Sequence, residues 1–207
     1  MAESSAFWDR IADKYAVQPI ADEATYRTKL ARTQALLSPD MDIFEFGCGT
    51  GGTAILHAPK VRSVRAIDFS ERMLDKGREK AAAAGIANVT FEQGDITTMP
   101  IAPASYDMVL GLSVLHLLKD PDAAIARVFD ILKPGGRFVS STACLGSHLS
   151  FLGPLVAFGK MLGKLPHLTF ISRQDLRKSL TRAGFVIEQD WQPKEGAAVF
   201  IIARKPD

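Results

Sequence analysis

Two spacings of apolar residues alternate along this chain, and they predict its elements. Phe7, Trp8, Ile11 and Tyr15 fall on one face of a 3.6-residue period, as do Tyr26, Leu30, Thr33 and Leu37, so two amphipathic helices are expected before Ser38-Pro39 stops the second. From Asp42 the texture changes to short apolar runs, Ile43 to Phe46 and Ser63 to Asp68, with a short helical stretch between them. Ser70 is placed to cap an alanine-rich helix through Ala84, followed by a strand at Val89 to Phe91 and another at Tyr106 to Leu110. Asp120-Pro121 opens a helix with the stripe Ile125, Val128, Phe129 and Leu132. Pro134-Gly135-Gly136 then breaks it ahead of a strand at Arg137 to Thr142. Ser172 and Asp175 form a capping-box start, Gly184 ends that helix, and Phe185 to Ile187 and Ala198 to Ala203 read as strands. Strands alternating with helices predict an α/β fold, a mostly parallel doubly wound sheet with helices on both faces.

Composition narrows the function. At 207 residues one domain is expected, spanning 1–207, with residues 1–40 as a helical cover. A formal net charge of +2 is too small for the basic field that phosphate backbones require, so nucleic acid is not an expected partner. Cys48 and Cys144 are too few for a disulfide framework and lack zinc-site spacing, which suits a reducing compartment. The opening MAESSAFWDR has no basic then apolar leader, and no run reaches the roughly 20 apolar residues of a membrane span, so a cytoplasmic location is expected.

In such sheets ligands sit at the carboxyl ends of the strands where the winding reverses, so the loop after the first strand is the place to look. It reads Gly47-Cys48-Gly49-Thr50-Gly51-Gly52 and satisfies GxGxxG, which leaves a dinucleotide site and therefore a nicotinamide-dependent oxidoreductase open. The surrounding charges favour another ligand. No Lys or Arg occurs between Phe44 and Ala58, where a pyrophosphate would want one, while Glu45 stands two residues before Gly47, in reach of an ammonium. Asp68 ends the second strand, where an acid can accept both hydroxyls of a ribose. Asp95, in Gly94-Asp95-Ile96, can accept from an adenine amino group while Ile96 packs on the ring. Each also has a plainer reading, Asp68 as a turn starter before Ser70 and Asp95 as a strand terminator.

The segments FEFGCGTG, AIDFSERML, FEQGDITTMP, YDMVLGLSVLHLLKDP and LKPGGRFV, spanning Ile43 to Val139, resemble the class I S-adenosylmethionine-dependent methyltransferases. The likeness is to the branch of the ubiquinone and menaquinone C-methyltransferases. It implies a Rossmann-like seven-stranded sheet with an antiparallel last strand, and S-adenosylmethionine as cofactor. Glu45 departs from the family's more frequent Asp. By position, Gly47, Gly49 and Gly51 would form the floor under the methionine, Asp68 would hold the ribose, Phe69 and Met73 would flank the adenine, and Asp95 would read its amino group. Leu112 and Ser113 would line the methionine end. Tyr15 stands where related enzymes close a tyrosine over the methyl donor, although it fits equally as a helix-packing residue. His116 is near the expected acceptor and could serve as a base, yet a histidine recurs there in the family whatever the substrate, which favours a structural part.

The segment 143–171 interrupts the path from the fifth strand to the Ser172 helix and brings Leu149, Phe151, Leu152, Leu155 and Phe158. It is expected to be a helical insert or lid that lines an acceptor pocket. Lys160, Lys164, Arg173, Arg177, Lys178 and Arg182 nearby give a weak membrane-surface contact as a second reading. The whole predicts methyl transfer to a small, lipophilic or aromatic acceptor, with a nicotinamide oxidoreductase and a non-catalytic S-adenosylmethionine-binding protein as alternatives.

Overall fold

A computed structural model describes residues 2–144, 146 and 165–207. Most of the expected insert, including Phe151, Leu155 and Phe158, lies outside the described residues. In chain order the elements are α1 (Ala2–Val17), α2 (Glu23–Gln34), β1 (Asp42–Phe46), α3 (Gly52–His57), β2 (Ser63–Asp68), α4 (Glu71–Ala83), β3 (Val89–Gln93), β4 (Tyr106–Leu112), α5 (Pro121–Ile131), β5 (Leu132–Thr142), α6 (Arg173–Arg182), β6 (Val186–Trp191) and β7 (Val199–Arg204).

The strands form one seven-stranded sheet in the order β3-β2-β1-β4-β5-β7-β6. The first five are parallel, and β7 runs antiparallel to both β5 and β6. This is the expected doubly wound sheet, and its winding reverses between β1 and β4. The two faces explain why the strands read as continuous apolar runs. One face buries Phe44, Phe46, Val109, Phe138 and Ile201 against α5 and α6; the other buries Ile43, Leu110, Val139 and Ile202 against α3 and α4.

The caps are where the sequence puts them. Ser70, Asp120 and Ser172 accept from the backbone N–H of Met73, Ala123 and Asp175, and Ser172 with Asp175 completes a capping box. Several boundaries differ from expectation, among them β6, which runs from Val186 to Trp191 rather than from Phe185 to Ile187. α2 ends at Gln34, and Leu36 and Leu37 leave it through turn bonds to Thr33 and Gln34 so as to pack against the sheet, ahead of the restriction that Pro39 imposes. β5 begins at Leu132, directly after α5, because Leu132 pairs with Tyr106 while the Pro134-Gly135-Gly136 stretch bulges from the ladder and pairing resumes at Arg137.

α1 lies across α4. The Ser70 hydroxyl donates to Asp9 at 2.6 Å, and Arg72 and Lys76 pair with Asp13 at 2.7 and 3.2 Å. The Asp13 pairs are largely exposed and contribute little, and Ala12 is the fully buried residue of the helix.

Phe138 ties the sheet to the α6 side, stacked on Phe46 at 6.2 Å and tilted on Phe185 at 5.9 Å between ring centroids. Phe138→Ala should cost about 3–5 kcal/mol. Urea unfolding should show a lower midpoint at an unchanged slope; a loss below about 1 kcal/mol would mean that the core collapses around the gap.

Candidate active site

The carboxyl ends of β1, β2 and β4 meet at the reversal of the sheet and open into a cleft of about 920 Å³. Its floor is the loop after β1. Gly47, Gly49 and Gly51 all have positive φ, which no Cβ hinders. At Gly47 the close approach is as strict as the dihedral, since a Cβ there would meet Val114 Cγ2 at 2.3 Å. The loop is held by Asp68, whose Oδ2 accepts from the Gly49 N–H at 2.8 Å and whose Oδ1 accepts from the Ser70 N–H at 3.0 Å. The acid at the end of β2 therefore fixes the β1 loop and the start of α4 together, and burial still raises its pKa.

Glu45, next to last in β1, is a buried carboxyl, 3% exposed, with Oε2 free of any hydrogen-bond partner among the described residues. Burial, with the nearby Asp68 charge adding to it, pushes its pKa up to about 8. An unpartnered buried carboxyl is costly, and a ligand cation with N–H donors would satisfy it. Cys48 faces the same acids, and burial followed by the charges of Glu45 and Asp68 raises its thiol pKa, so it is no nucleophile at neutral pH.

Tyr15 from α1 completes the enclosure. Its ring stands over Gly49, with Cε1 3.8 Å from where a Cβ would be, and it meets Trp8 edge to face at 6.3 Å. Burial of the hydroxyl end and the Asp68 charge raise its pKa, although the residue as a whole is 46% exposed. Phe69 and Met73 line the cleft beyond Asp68. Leu112 and Ser113 line the opposite wall, where Ser113 takes φ +59° and donates its N–H to the Ser141 carbonyl at 2.7 Å. A non-glycine residue in that conformation costs on the order of 1–3 kcal/mol, a strain that collects at functional sites.

Four expected residues stand elsewhere, the first being Gly51, which is not in the cleft lining and where a Cβ would meet the Phe91 ring at 2.5 Å. Asp95 and Ile96 are not among the cleft-lining residues: Asp95 Oδ1 accepts from the Thr97 N–H and hydroxyl at 2.8 and 2.7 Å, and Ile96 is buried in the core. His116 does not line the cleft either; its Nδ1 is buried with no hydrogen-bond partner among the described residues, and burial lowers its pKa, which keeps the ring neutral. The cleft also gathers residues that sequence reasoning left aside, namely Lys29, His57, Ser141, Lys194 and Phe200. His57 is fully buried with both ring nitrogens unpartnered among the described residues, and burial drops its pKa to about 4. A lysine in the stripe Tyr26, Leu30, Thr33 was the one signal available for Lys29.

A family sequence model described as a methyltransferase domain matches residues 37–184. The chain belongs to the methyltransferase-domain family. Its cofactor is S-adenosylmethionine, and the site fits that group: a left-handed glycine loop open at Gly49 and Gly52, and an orphaned buried carboxyl beside it. The chain is 30% identical over 77% of its length to a demethylmenaquinone methyltransferase of Thermobifida fusca, and 28% identical over 73% to the aklanonic acid methyltransferase DauC of a Streptomyces species. These matches span 66% and 62% of the two relatives, so the chain accounts for less than two-thirds of their length. A geranyl diphosphate C-methyltransferase of Streptomyces coelicolor, solved with S-adenosyl-L-homocysteine, superposes with a TM-score of 0.74 at 16% identity, over 88% of this chain and 79% of that one. That likeness is one of fold. No helix among the described residues is long and apolar enough to cross a membrane.

Glu45 sets a pH test of the site. Its folded pKa lies above its ordinary value, so the folded state holds an extra proton between about pH 4.5 and 8 and loses stability as pH rises through that window. His57, with a lowered pKa, acts in the opposite sense only below its ordinary 6.5, so the range above that isolates Glu45. Glu45→Gln should gain stability over the native chain on going from pH 6.5 to 8, by on the order of 2 kcal/mol. Parallel stability curves for the two proteins would show that Glu45 is ionised, or solvated, throughout.

Proposed function

We propose that this chain transfers the methyl group of S-adenosylmethionine to a small acceptor of lipophilic or aromatic character. The observation that carries the reading is the unpartnered Glu45 carboxyl in a cleft that also has Ile20, Tyr26, Leu30, Leu117 and Phe200 among its walls, next to the polar Lys29 and Ser141. Two relatives are named for small-molecule acceptors, demethylmenaquinone and aklanonic acid, which supports an acceptor of that size.

The bound cofactor supplies a methyl group already activated on a sulfonium. The chain's part is therefore to hold, align and dry the site. In this reading Glu45 takes the methionine ammonium directly or through water, Asp68 takes the ribose hydroxyls while keeping Gly49 in place, and Phe69 and Met73 flank the adenine. Asp95, whose Oδ2 accepts nothing among the described residues, takes the adenine amino group, with Ile96 behind it. Gly47, Gly49 and Gly51 let the backbone approach the methionine, Leu112 and Ser113 wall it in, and Tyr15 closes from above. A base is required only for an acceptor that must lose a proton, and His116, outside the cleft lining, is the weaker candidate for that task.

Asp68→Ala should weaken S-adenosylhomocysteine binding by about 1.5–3 kcal/mol, the value of charge-assisted hydrogen bonds to the ribose. Calorimetric titration checks this, with NAD titrated alongside; unchanged affinity would remove Asp68 from the site, and NAD binding in place of S-adenosylhomocysteine would make the chain an oxidoreductase. Incubation of the native protein with methyl-labelled S-adenosylmethionine and a small-molecule extract should give a labelled product. Cofactor binding with no labelled product from any extract would make it a binding protein instead.

A further inference from the structure

The acceptor end of the cleft contains a cation. Lys29, on α2, is partly buried, and its ammonium donates to the Ser141 hydroxyl at 2.8 Å. Among the described residues no carboxylate lies within ion-pair distance of it, and burial lowers its pKa. Lys194, in the β6–β7 connection, lines the same chamber at its rim and likewise has no ion-pair partner among the described residues. The opposing charge that acts on Lys29 is Asp22, at the surface, whose two carboxylate oxygens already accept from the Thr25 N–H and hydroxyl. An ammonium partly removed from water and held by a single neutral hydroxyl has unspent donors and a desolvation cost that an incoming anion would offset.

The sheet register says which ligand group can reach it. Glu45 pairs with Leu110 on β4, Leu112 pairs with Ser141 on β5, and Ser141 pairs with Phe200 on β7, so Glu45, Leu112, Ser141 and Phe200 project from one face at alternate positions. Ser141 lies two strands from Glu45, about 10 Å across the sheet, at the spacing of neighbouring strands. The ammonium and carboxylate of the methionine share one carbon, so a cofactor whose ammonium meets Glu45 keeps its own carboxylate near β1. What reaches Ser141 and Lys29, beside Phe200 and Leu30, is the acceptor.

Resting on the methyl-transfer reading, we propose that the acceptor is an apolar molecule bearing a carboxylate, held by the Lys29 ammonium on Ser141 with Lys194 at the rim. Lys29 is then a specificity-determining residue, and neutral analogues of the acceptor are discriminated against.

The test titrates the S-adenosylhomocysteine-loaded protein with benzoate, 1-naphthoate and octanoate, each beside its primary amide. At least one carboxylate should bind about tenfold more tightly than its amide. Lys29→Met should abolish that preference and Lys29→Arg should keep most of it, with S-adenosylhomocysteine affinity within about twofold in both. Equal binding of every acid and amide, or a preference that survives Lys29→Met, overturns the proposal. So does a Lys29→Met protein that loses S-adenosylhomocysteine affinity, because the lysine then belongs to the cofactor. A native protein that fails to bind S-adenosylhomocysteine at all overturns the methyl-transfer reading itself.

Discussion

Two carboxyl groups at the carboxyl ends of neighbouring parallel strands set the terms of this structure. Asp68 spends its oxygens on backbone N–H groups of Gly49 and Ser70, and this one side chain locks the glycine loop to the start of α4. Glu45, one strand away, spends Oε2 on nothing among the described residues. A fold optimised for stability alone would not bury an unsatisfied acid beside another acid. The strain at Ser113 and the orphaned ring of His57 point the same way, since all three face one cleft. The cost is carried by the two apolar layers on either face of the sheet, where Phe44, Phe138, Leu110 and Phe200 have almost no solvent contact.

The doubly wound sheet supplies the division of labour. One cleft runs across the carboxyl ends of the strands, with Phe69 and Met73 after β2, Leu112 and Ser113 at the end of β4, and Ser141 and Phe200 of β5 and β7 all in its lining. Methyl transfer needs two ligands held in line and little else, so a cleft with buried acids, apolar walls and its own cation is sufficient in kind.

Much of this was legible in the order of residues. The caps at Ser70, Asp120 and Ser172 act through contacts three residues away, which local spacing reveals, and inner strands such as β4 and β7 announce themselves as apolar runs because both faces are covered, whereas the edge strands β3 and β6 are half polar. The glycine loop and Asp68 are a short motif and its partner one strand on. What was not legible depends on distant segments meeting. Lys29 and Ser141 are 112 positions apart and become neighbours only because α2 lies over the end of β5. His57 belongs to no motif and lines the cleft, while Asp95 and His116 matched a pattern and stand outside its lining. The early end of α2 and the early start of β5 follow from packing of Leu36, Leu37 and Leu132, a tertiary preference that a proline or a glycine pair does not encode.

Proton counting on cofactor binding tests the central claim most directly. At pH 7 the free protein should hold Glu45 protonated, and an ammonium seated against it should expel that proton. Calorimetric titration of S-adenosylhomocysteine in buffers of different ionisation enthalpy should therefore report release of about one proton, and Glu45→Gln should reduce it to near zero. Tight binding with no proton release in the native protein, or the same release in the variant, would contradict the assignment of Glu45 as the ammonium's seat.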